Sequence, residues 1–282
     1  MKFAMVTHEG RRMVAGTADG LELKVLPCEG VGASPSLADQ ISAGRDLAET
    51  AAALVAAPSV PIDAVEFLLP LDNPGKIICV GLNYLDHAEE SGAARPPYPE
   101  IFLRTRSSMS PHGRTVAAPP QSAQLDFEGE LVAVIGRTAR KLAAGAGLTH
   151  VAAYSIFNDL SVRDFQLRTR QWTIGKNFDD FGSFGPWLVP AADLPPGGAG
   201  LTLATRVNGN VMQETSIDLM LFDVATLVEQ LSQTMTLDPG DIIVTGTPGG
   251  VAMARDPSPW LKSGDCVEVE VDRIGVLRNH IG

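Results

Sequence analysis

The chain has 282 residues, of which 45% are hydrophobic and 20% charged, a composition typical of a globular protein and not of a disordered one. Its net charge of -11 argues against a nucleic-acid partner, because binding a phosphate backbone requires basic stripes that this sequence lacks. No apolar run reaches the roughly 18 residues of a membrane span, and the three cysteines are scattered without metal-binding spacing, so we expect a cytoplasmic protein with free thiols.

Residues 1–70 are predicted to form a small leading α/β unit. It would contain three short strands, in the segments KFAMVTH, MVAGT and LELKVL, followed by a helix. Ser36 and Asp39 resemble a capping box, the stretch to Ala57 is rich in helix formers, and Pro58 would end the helix. No residue of this unit is predicted to carry chemistry.

Residues 71–282 are predicted to form the larger domain, in which strands predominate. It would begin with a buried strand at KIICVG and a helix of one or two turns at NYLDHAEESG, which Gly92 closes. The further candidate strands are LVAVIG, VAAYSIF, LTLATRVNG, DIIVTG and CVEVEVDRIGVL. One long amphipathic helix is predicted at residues 216–235. The fold class expected from this pattern is α+β, mostly β.

A pair of glutamates, Glu128 and Glu130, lies in the apolar segment LDFEGELVAVIG. Because alternate side chains of a strand share a face, both carboxylates would project to the same side as Val132 and Val134, where burial is expected. Convergent buried carboxylates cannot all stay ionised without compensation, and a hard divalent cation compensates them. The pair therefore predicts a Mg2+ or Mn2+ site, although glutamates at this spacing are also common on exposed strands.

Five segments, in this order, resemble the fumarylacetoacetate hydrolase superfamily and in particular its bacterial small-molecule members: VGLNYLDHAEE, DFEGELVAVIG, NDLSVRDFQ, WTIGKNFD and TGTPGGV. The resemblance covers roughly residues 74–282. It implies the family's mixed β-sandwich roll, a homodimer, and Mg2+ or Mn2+ held by Glu128, Glu130 and Asp159. For Asp159, which follows a predicted strand at the start of a helix, the alternative is a structural N-cap.

The same resemblance implies a set of substrate-binding residues. Arg163 and Gln166 match the family's substrate-contacting pair, and with Asp159 they would share one helical face at i, i+4 and i+7. A surface ion pair is the alternative. Thr247, with the backbone N–H groups of TGTPGG, would cradle a substrate carboxylate or carbonyl, unless this segment is a plain turn. Arg104 stands where a lysine is common in the family, and we expect it to bind a substrate carboxylate.

Three residues are predicted to be catalytic. His87 and Glu90 are three apart on the short helix, so the carboxylate can orient the imidazole, and they match the family's water-activating dyad. A solvated histidine is the alternative. Lys176, in a Gly-Lys-Asn turn, matches the active-site lysine and would stabilise the oxygen of an enolate.

The function implied by the resemblance is hydrolysis of a C–C bond in a 2,4-dioxo acid, such as an acylpyruvate or fumarylpyruvate, to give a 2-oxo acid. Decarboxylation of an oxaloacetate-like acid, and isomerisation or tautomerisation of an unsaturated oxo acid, are the alternatives at the same site. Dehydration of a sugar acid is weaker, and a non-catalytic oxo-acid binding protein is the alternative outside enzymes. The presence of both His87 and Glu90 favours hydrolysis.

Overall fold

The first five strands form one antiparallel sheet at the start of the chain, in a computed structural model that describes residues 1–30 and 33–282. The strands are β1 (Lys2–His8), β2 (Arg11–Thr17), β3 (Glu22–Pro27), β4 (Ser59–Pro61) and β5 (Glu66–Phe67). Their order in the sheet is β4-β3-β2-β1-β5. The three strands predicted at the start of the chain are confirmed as β1, β2 and β3.

Short helices outnumber long ones. They are α1 (Leu37–Ser42), α2 (Leu47–Val55), α3 (Leu85–Glu90), α4 (Arg163–Gln166), α5 (Thr173–Lys176) and α6 (Val224–Thr234). The single helix predicted after β3 is wrong, because α1 and α2 are separated at Gly44, which has a left-handed φ of 65°. The N-cap of α1 is confirmed, since Ser36 Oγ accepts a hydrogen bond from Asp39 N at 3.1 Å. The second helix has a cap of its own at Asp46.

The larger part of the chain adds fifteen strands. They are β6 (Ile77–Gly81), β7 (Glu100–Arg104), β8 (Met109–Pro111), β9 (Thr115–Val116), β10 (Leu125–Asp126), β11 (Gly129–Ile135), β12 (Val151–Asn158), β13 (Ser161–Val162), β14 (Gly182–Phe184), β15 (Val189–Pro190), β16 (Thr202–Val207), β17 (Asn210–Ser216), β18 (Ile242–Val244), β19 (Cys266–Val271) and β20 (Gly275–Ile281). The candidate strands of the sequence are confirmed, and the last of them is a hairpin of β19 and β20.

These strands make two large sheets and one small pair. The eight-stranded sheet has the order β7-β6-β18-β11-β12-β14-β8, with β15 also paired to β12. Within it β6 and β18 are parallel, whereas β11 is antiparallel to both of its neighbours. A five-stranded sheet has the order β17-β16-β19-β20-β9, and β10 pairs with β13. The fold is therefore α+β and mostly β, as the sequence predicted.

The long helix predicted for residues 216–235 is wrong in its first half. Its start belongs to the end of β17 and to a 3-10 turn at Ile217–Leu219. Met220 then forms an isolated β-bridge with Tyr84. The helix itself begins only after Asp223, whose carboxylate accepts a hydrogen bond from Thr226 N at 2.8 Å. A capping side chain inside the apolar pattern therefore sets the boundary, because it satisfies the exposed N–H groups of the first turn.

The hydrophobic interior joins the leading sheet to the rest of the molecule. One apolar cluster contains Val6 of β1 together with Leu131 of β11, and a second contains Phe3 together with Val132. Phe3 and Leu188 also exchange two backbone hydrogen bonds, of 2.8 and 2.7 Å. Among the described residues, none of the helices is long and apolar enough to cross a membrane.

Candidate active site

Three buried carboxylates meet where β11 begins and β12 ends. The two strands are antiparallel, with Gly129 opposite Asn158, so the residues just outside the pairing, Glu128 and Asp159, lie side by side. Their backbones are joined by a hydrogen bond of 2.8 Å from Asp159 N to Glu128 O. Glu130 follows on the same strand, and one carboxylate oxygen from each of the three residues lies within 4.8 Å of the others. The arrangement can hold a divalent metal ion, because its ligands would all be hard oxygen atoms.

The glycine between the two glutamates is required by packing. A Cβ atom at Gly129 would lie 2.1 Å from Thr205 Oγ1 and 2.9 Å from a methyl group of Val269, both in the five-stranded sheet. The two large sheets therefore approach closely at this point, and only glycine leaves room for it. This contact fixes the position of the Glu128–Glu130 segment relative to the five-stranded sheet.

Two cations lie among the carboxylates. Lys176, at the end of α5 and not in the turn that was predicted, lies with its Nζ 2.5 Å from Glu128 Oε2 and 2.6 Å from Asp159 Oδ2. Arg163 Nη2 lies 2.6 Å from Glu128 Oε1, outside hydrogen-bonding geometry. Among the residues described, no Lys or Arg side chain forms a salt bridge with Glu130, whose Oε2 instead accepts a hydrogen bond from Gly246 N at 2.5 Å.

The pKa values reflect this uneven pairing. Burial raises the pKa of Glu128, but the charges of Lys176 and Arg163 outweigh it and lower that pKa to about 2. Burial also raises the pKa of Glu130, and here the charges of Asp159 and Glu128 raise it further, to well above the usual value. Glu130 is therefore the carboxylate with uncompensated charge, which is the condition a bound cation would relieve.

Arg104 does not line the cavity, contrary to the substrate-binding role predicted for it. It is buried behind Asp159, whose Oδ1 accepts a short hydrogen bond from Arg104 Nε. Its Nη2 donates to Leu160 O at 2.7 Å, and its Nη1 donates to Ser108 Oγ at 3.3 Å. All three guanidinium nitrogens of Arg104 thus donate to protein atoms, and Arg104 supports the carboxylate of Asp159.

Asp159 also differs from the sequence prediction in its position. It lies just after β12, and α4 begins only at Arg163, so the predicted helical face at i, i+4 and i+7 does not exist. The strand pair β10 and β13 instead brings Arg163 back toward the carboxylates. Gln166 remains next to it, since Arg163 Nη1 donates to Gln166 Oε1 at 2.8 Å.

His87 and Glu90 form a contact across one turn of α3. His87 Nδ1 lies 2.8 Å from Glu90 Oε1, and the imidazole is buried. Since a carboxylate can only accept, Nδ1 is the donor in this contact, and Nε2 takes no part in it. Glu90 Oε2 also accepts a hydrogen bond from Gly250 N at 2.8 Å, which ties α3 to the glycine-rich segment after β18.

The glycine-rich segment is more occupied by protein contacts than the sequence indicated. Thr247 Oγ1 donates to Gly129 O at 3.0 Å and accepts a hydrogen bond from Gln213 Nε2 at 2.8 Å. The N–H groups of Gly246 and Gly250 are taken by Glu130 and Glu90. The hydroxyl and these two N–H groups therefore hold the segment in place in this structure, and a substrate role for Thr247 stays a prediction.

A cavity of about 440 Å³ collects the predicted residues. All of them except Arg104 line it, namely His87, Glu90, Glu128, Glu130, Asp159, Arg163, Gln166, Lys176 and Thr247. Its apolar wall includes Phe102 and Trp172, whose rings meet edge to face with centroids 5.8 Å apart. Sequence reasoning did not find this wall. Trp172 packs against Gly81, where a Cβ atom would lie 2.2 Å from the Trp172 ring.

Comparisons with known proteins agree with this geometry. Residues 76–282 match the family model described as fumarylacetoacetate (FAA) hydrolase C-terminal. The human mitochondrial oxaloacetate tautomerase FAHD2A is 40% identical over 226 residues, which cover 79% of this chain and 72% of that protein.

Two solved structures resemble the whole chain or most of it. The fumarylacetoacetate hydrolase of Exiguobacterium antarcticum is 35% identical, with a TM-score of 0.86 and coverage of 100% of this chain and 99% of that one. The fumarylpyruvate hydrolase of Pseudomonas aeruginosa, in complex with Mn2+ and pyruvate, is 32% identical, with a TM-score of 0.66 and coverage of 73% and 88%.

Proposed function

Since the chain belongs to the fumarylacetoacetate hydrolase family, whose members are enzymes, we propose that it is a divalent-metal-dependent enzyme that acts on a 2-oxo acid through its enolate form. We propose further that keto–enol tautomerisation of an oxaloacetate-like acid is its reaction. One observation carries the proposal: the His87–Glu90 pair and the three buried carboxylates line the same cavity.

The donor set fits Mg2+ or Mn2+. Glu128, Glu130 and Asp159 offer only carboxylate oxygens, which these cations prefer, and they offer no thiol or imidazole that would favour zinc. When bound, the ion would act as a Lewis acid that polarises the 2-oxo group and makes the neighbouring carbon more acidic. The fumarylpyruvate hydrolase of Pseudomonas aeruginosa, a relative of this chain, was solved with Mn2+, which supports a cation of this kind here.

The residues of the chain supply the proton transfer. His87 would use Nε2 to take a proton from C3 of the keto form, while Glu90 holds Nδ1–H and stabilises the imidazolium that results. The same proton, or one from water, then goes to the oxygen on C2, so that no atom is gained or lost overall. Lys176 and Arg163 provide positive charge beside the oxygens of the acid.

We rank tautomerisation ahead of hydrolysis, the reaction that the sequence favoured. Tautomerisation requires a base and a polarised carbonyl, and the cavity contains candidates for both. Hydrolysis additionally requires a water molecule positioned for attack on a distal carbonyl. The match to the oxaloacetate tautomerase FAHD2A, 79% of this chain at 40% identity, supports this order.

Hydrolysis of a 2,4-dioxo acid remains the second candidate. The Glu90 carboxylate, 2.8 Å from His87 Nδ1, orients the imidazole, which suits activation of water. Water would add to the C4 carbonyl, the C3–C4 bond would break, and C3 would receive a proton to give a carboxylic acid and pyruvate or a homologue. The similarity to the fumarylpyruvate hydrolase of Pseudomonas aeruginosa supports this reading.

Proton NMR of the purified protein with Mg2+ separates the reactions. Oxaloacetate in D2O should exchange its C3 protons for deuterium faster if the chain is a tautomerase, whereas the methyl signal of pyruvate would indicate a decarboxylase. Acetylpyruvate should give acetate and pyruvate if it is a hydrolase. The matched control is His87→Ala at the same Mg2+ concentration, because the free metal ion also promotes these reactions. Oxalate binding without turnover of any oxo acid would instead indicate a binding protein.

We also propose the homodimer that the resemblance implies. Analytical ultracentrifugation of the purified chain, with a calculated mass of 29.8 kDa for one copy, checks it. A sedimenting species of one copy at micromolar concentration would contradict it.

A further inference from the structure

Asp126 is a buried aspartate that the sequence did not single out. It lies on β10, two residues before Glu128, and is inaccessible to solvent. Its Oδ1 accepts hydrogen bonds from Phe127 N and Ala252 N, both at 2.8 Å. Its Oδ2 accepts from Met253 N at 3.0 Å and from Arg163 Nε at 2.8 Å. One carboxylate therefore joins β10, the turn after the glycine-rich segment, and Arg163.

The remaining nitrogens of Arg163 show what this contact achieves. Nη1 donates to Gln166, which lies on the same short helix. Nη2 is buried and has no hydrogen-bond partner within the described residues, although it lies 2.6 Å from Glu128 Oε1. Nη2 therefore pairs with the charge of Glu128 but makes no aligned hydrogen bond, and Arg163 lines the cavity. This nitrogen is the donor left available for a ligand.

We propose that Asp126 is a positioning residue for substrate binding, which it serves by fixing the guanidinium of Arg163 so that Nη2 donates to the substrate carboxylate. The inference rests on the proposed function, because it takes a 2-oxo acid as the ligand. Asp126 does not line the cavity and acts only through Arg163. Met253, which does line the cavity, donates its backbone N–H to the same carboxylate. Asp126 therefore positions both Arg163 and this part of the cavity wall.

A purely structural aspartate is the competing explanation, and the chain offers a matched control for it. Asp241 is equally buried, and it accepts hydrogen bonds from Lys76 N and Asp238 N, both at 2.7 Å, and pairs with Lys76 Nζ at 2.8 Å. Changing either aspartate to asparagine places an amide N–H against backbone donors. Both variants should therefore lose stability for the same reason, but only Asp126 is linked to Arg163.

The first experiment measures binding of oxalate to the Mn2+-loaded protein by calorimetry, because oxalate resembles a 2-oxo acid and does not react. Asp126→Asn should raise the Kd about 10-fold, whereas Asp241→Asn should leave it within twofold of the wild-type value. In turnover assays Asp126→Asn should raise KM by a similar factor with kcat changed less than threefold. An oxalate affinity equal to the wild type, in folded Asp126→Asn, would overturn the inference.

A second variant covers the case in which Asp126→Asn does not fold. Arg163→Lys keeps the charge and leaves Asp126 its three backbone donors, but one ammonium cannot both bond Asp126 and reach the substrate as the guanidinium does. It should weaken oxalate binding about as much as Asp126→Asn. The double variant should be no weaker than either single one, because both break the same link.

The outcomes separate the two proposals. Effects of Asp126→Asn and Arg163→Lys that multiply, or wild-type affinity in Arg163→Lys, would overturn the positioning role. Oxalate binding that follows the expected pattern, without turnover of any 2-oxo acid, would support the positioning role and contradict the proposed function. A wild-type protein that neither binds oxalate nor turns over an oxo acid would overturn both.

Discussion

Buried carboxylates lie at both ends of the parallel strands β6 and β18, but the two ends pair them differently. At the amino end, each oxygen of Asp241 accepts a backbone N–H, and Lys76 supplies a cation at 2.8 Å. At the carboxyl end, Glu130 lies beside two other carboxylates and receives one backbone hydrogen bond, from Gly246. Asp241 therefore has a cation and two backbone donors for its charge, whereas Glu130 has no Lys or Arg partner among the described residues.

The difference shows how to separate a structural buried charge from a functional one. A buried carboxylate with a full set of donors supports the fold, because its desolvation is offset where it stands. Carboxylates that repel one another lower the stability of the protein without ligand, and the repulsion is relieved when a cation binds. Burial alone does not distinguish the cases, since Asp241 and Glu130 are both inaccessible or nearly so.

Glu130→Gln should have the largest effect and tests the carboxyl end directly. The amide keeps an acceptor for Gly246 N but removes one metal ligand and the repulsion from Asp159 and Glu128. We expect turnover to fall on the order of 10³-fold, while the unfolding temperature of the metal-free protein rises. Steady-state kinetics with Mg2+ measure the fall in turnover, and calorimetric unfolding measures the rise in unfolding temperature. Undiminished turnover in this variant would remove the basis for a metal site.

His87→Gln should have the next largest effect, because it removes the proposed base and leaves the carboxylates intact. Turnover should fall about 10²-fold, and Mn2+ affinity should stay within threefold of the wild type. The control is His150→Gln, since His150 lies outside the cavity. Electron paramagnetic resonance titration of Mn2+ measures the affinity. Loss of metal binding in His87→Gln would show that the variant disturbs the site and not only the base.

Asp241→Asn should give the opposite pattern at the amino end. It places an amide against Asp238 N or Lys76 N and breaks the pair with Lys76, whose partial exposure moderates the loss. The free energy of unfolding should fall by about 2 kcal/mol, with kcat within twofold of the wild type. Urea denaturation and steady-state kinetics check this. A large fall in kcat with normal stability would contradict the division between the two ends.

His112 is a partly buried ionisable group, and its effect should be confined to acidic pH. Burial, with the nearby charge of Arg278, lowers its pKa from 6.5 to about 4, and its Nδ1 accepts a hydrogen bond from Arg278 N at 3.0 Å. The folded protein therefore binds this proton less readily than the unfolded chain. Stability that is present above pH 6.5 should be lost as the pH falls toward 4.

The matched variant is His112→Asn, which keeps an acceptor for Arg278 N but does not titrate. Between pH 7 and pH 4 the wild type should lose about 2 kcal/mol more of its free energy of unfolding than the variant, as measured by urea denaturation at each pH. Parallel losses in the two proteins would show that His112 is not the group responsible.

The carboxylates and the dyad were predictable because their spacing is local. Glu128 and Glu130 follow strand alternation, and His87 and Glu90 follow the helical turn, so short-range geometry is sufficient to pair them. The place of Arg104 and the role of Asp126 were not predictable, because both depend on contacts between segments far apart in the chain. Asp126, for example, accepts hydrogen bonds from Ala252 and Met253.

The errors in secondary structure have a similar cause. The apolar pattern of residues 216–235 fits a helix throughout, but β17 continues to Ser216 because it pairs with β16. Gly44 and Asp46 separate two stretches of good helix formers, so composition alone predicts one helix where the structure has two. Local preference sets what a segment can form, and pairing with distant segments decides between the possibilities.

The exchange of backbone hydrogen bonds between Phe3 and Leu188 has a practical consequence for dissecting the enzyme. Residues 76–282 match the family model, but the apolar clusters beneath them are completed by β1, β2 and β3. Expressing those residues alone would remove the apolar side chains that β1, β2 and β3 contribute to both clusters and leave the backbone groups of Leu188 without Phe3. Mutational studies of the site should therefore retain the first seventy residues.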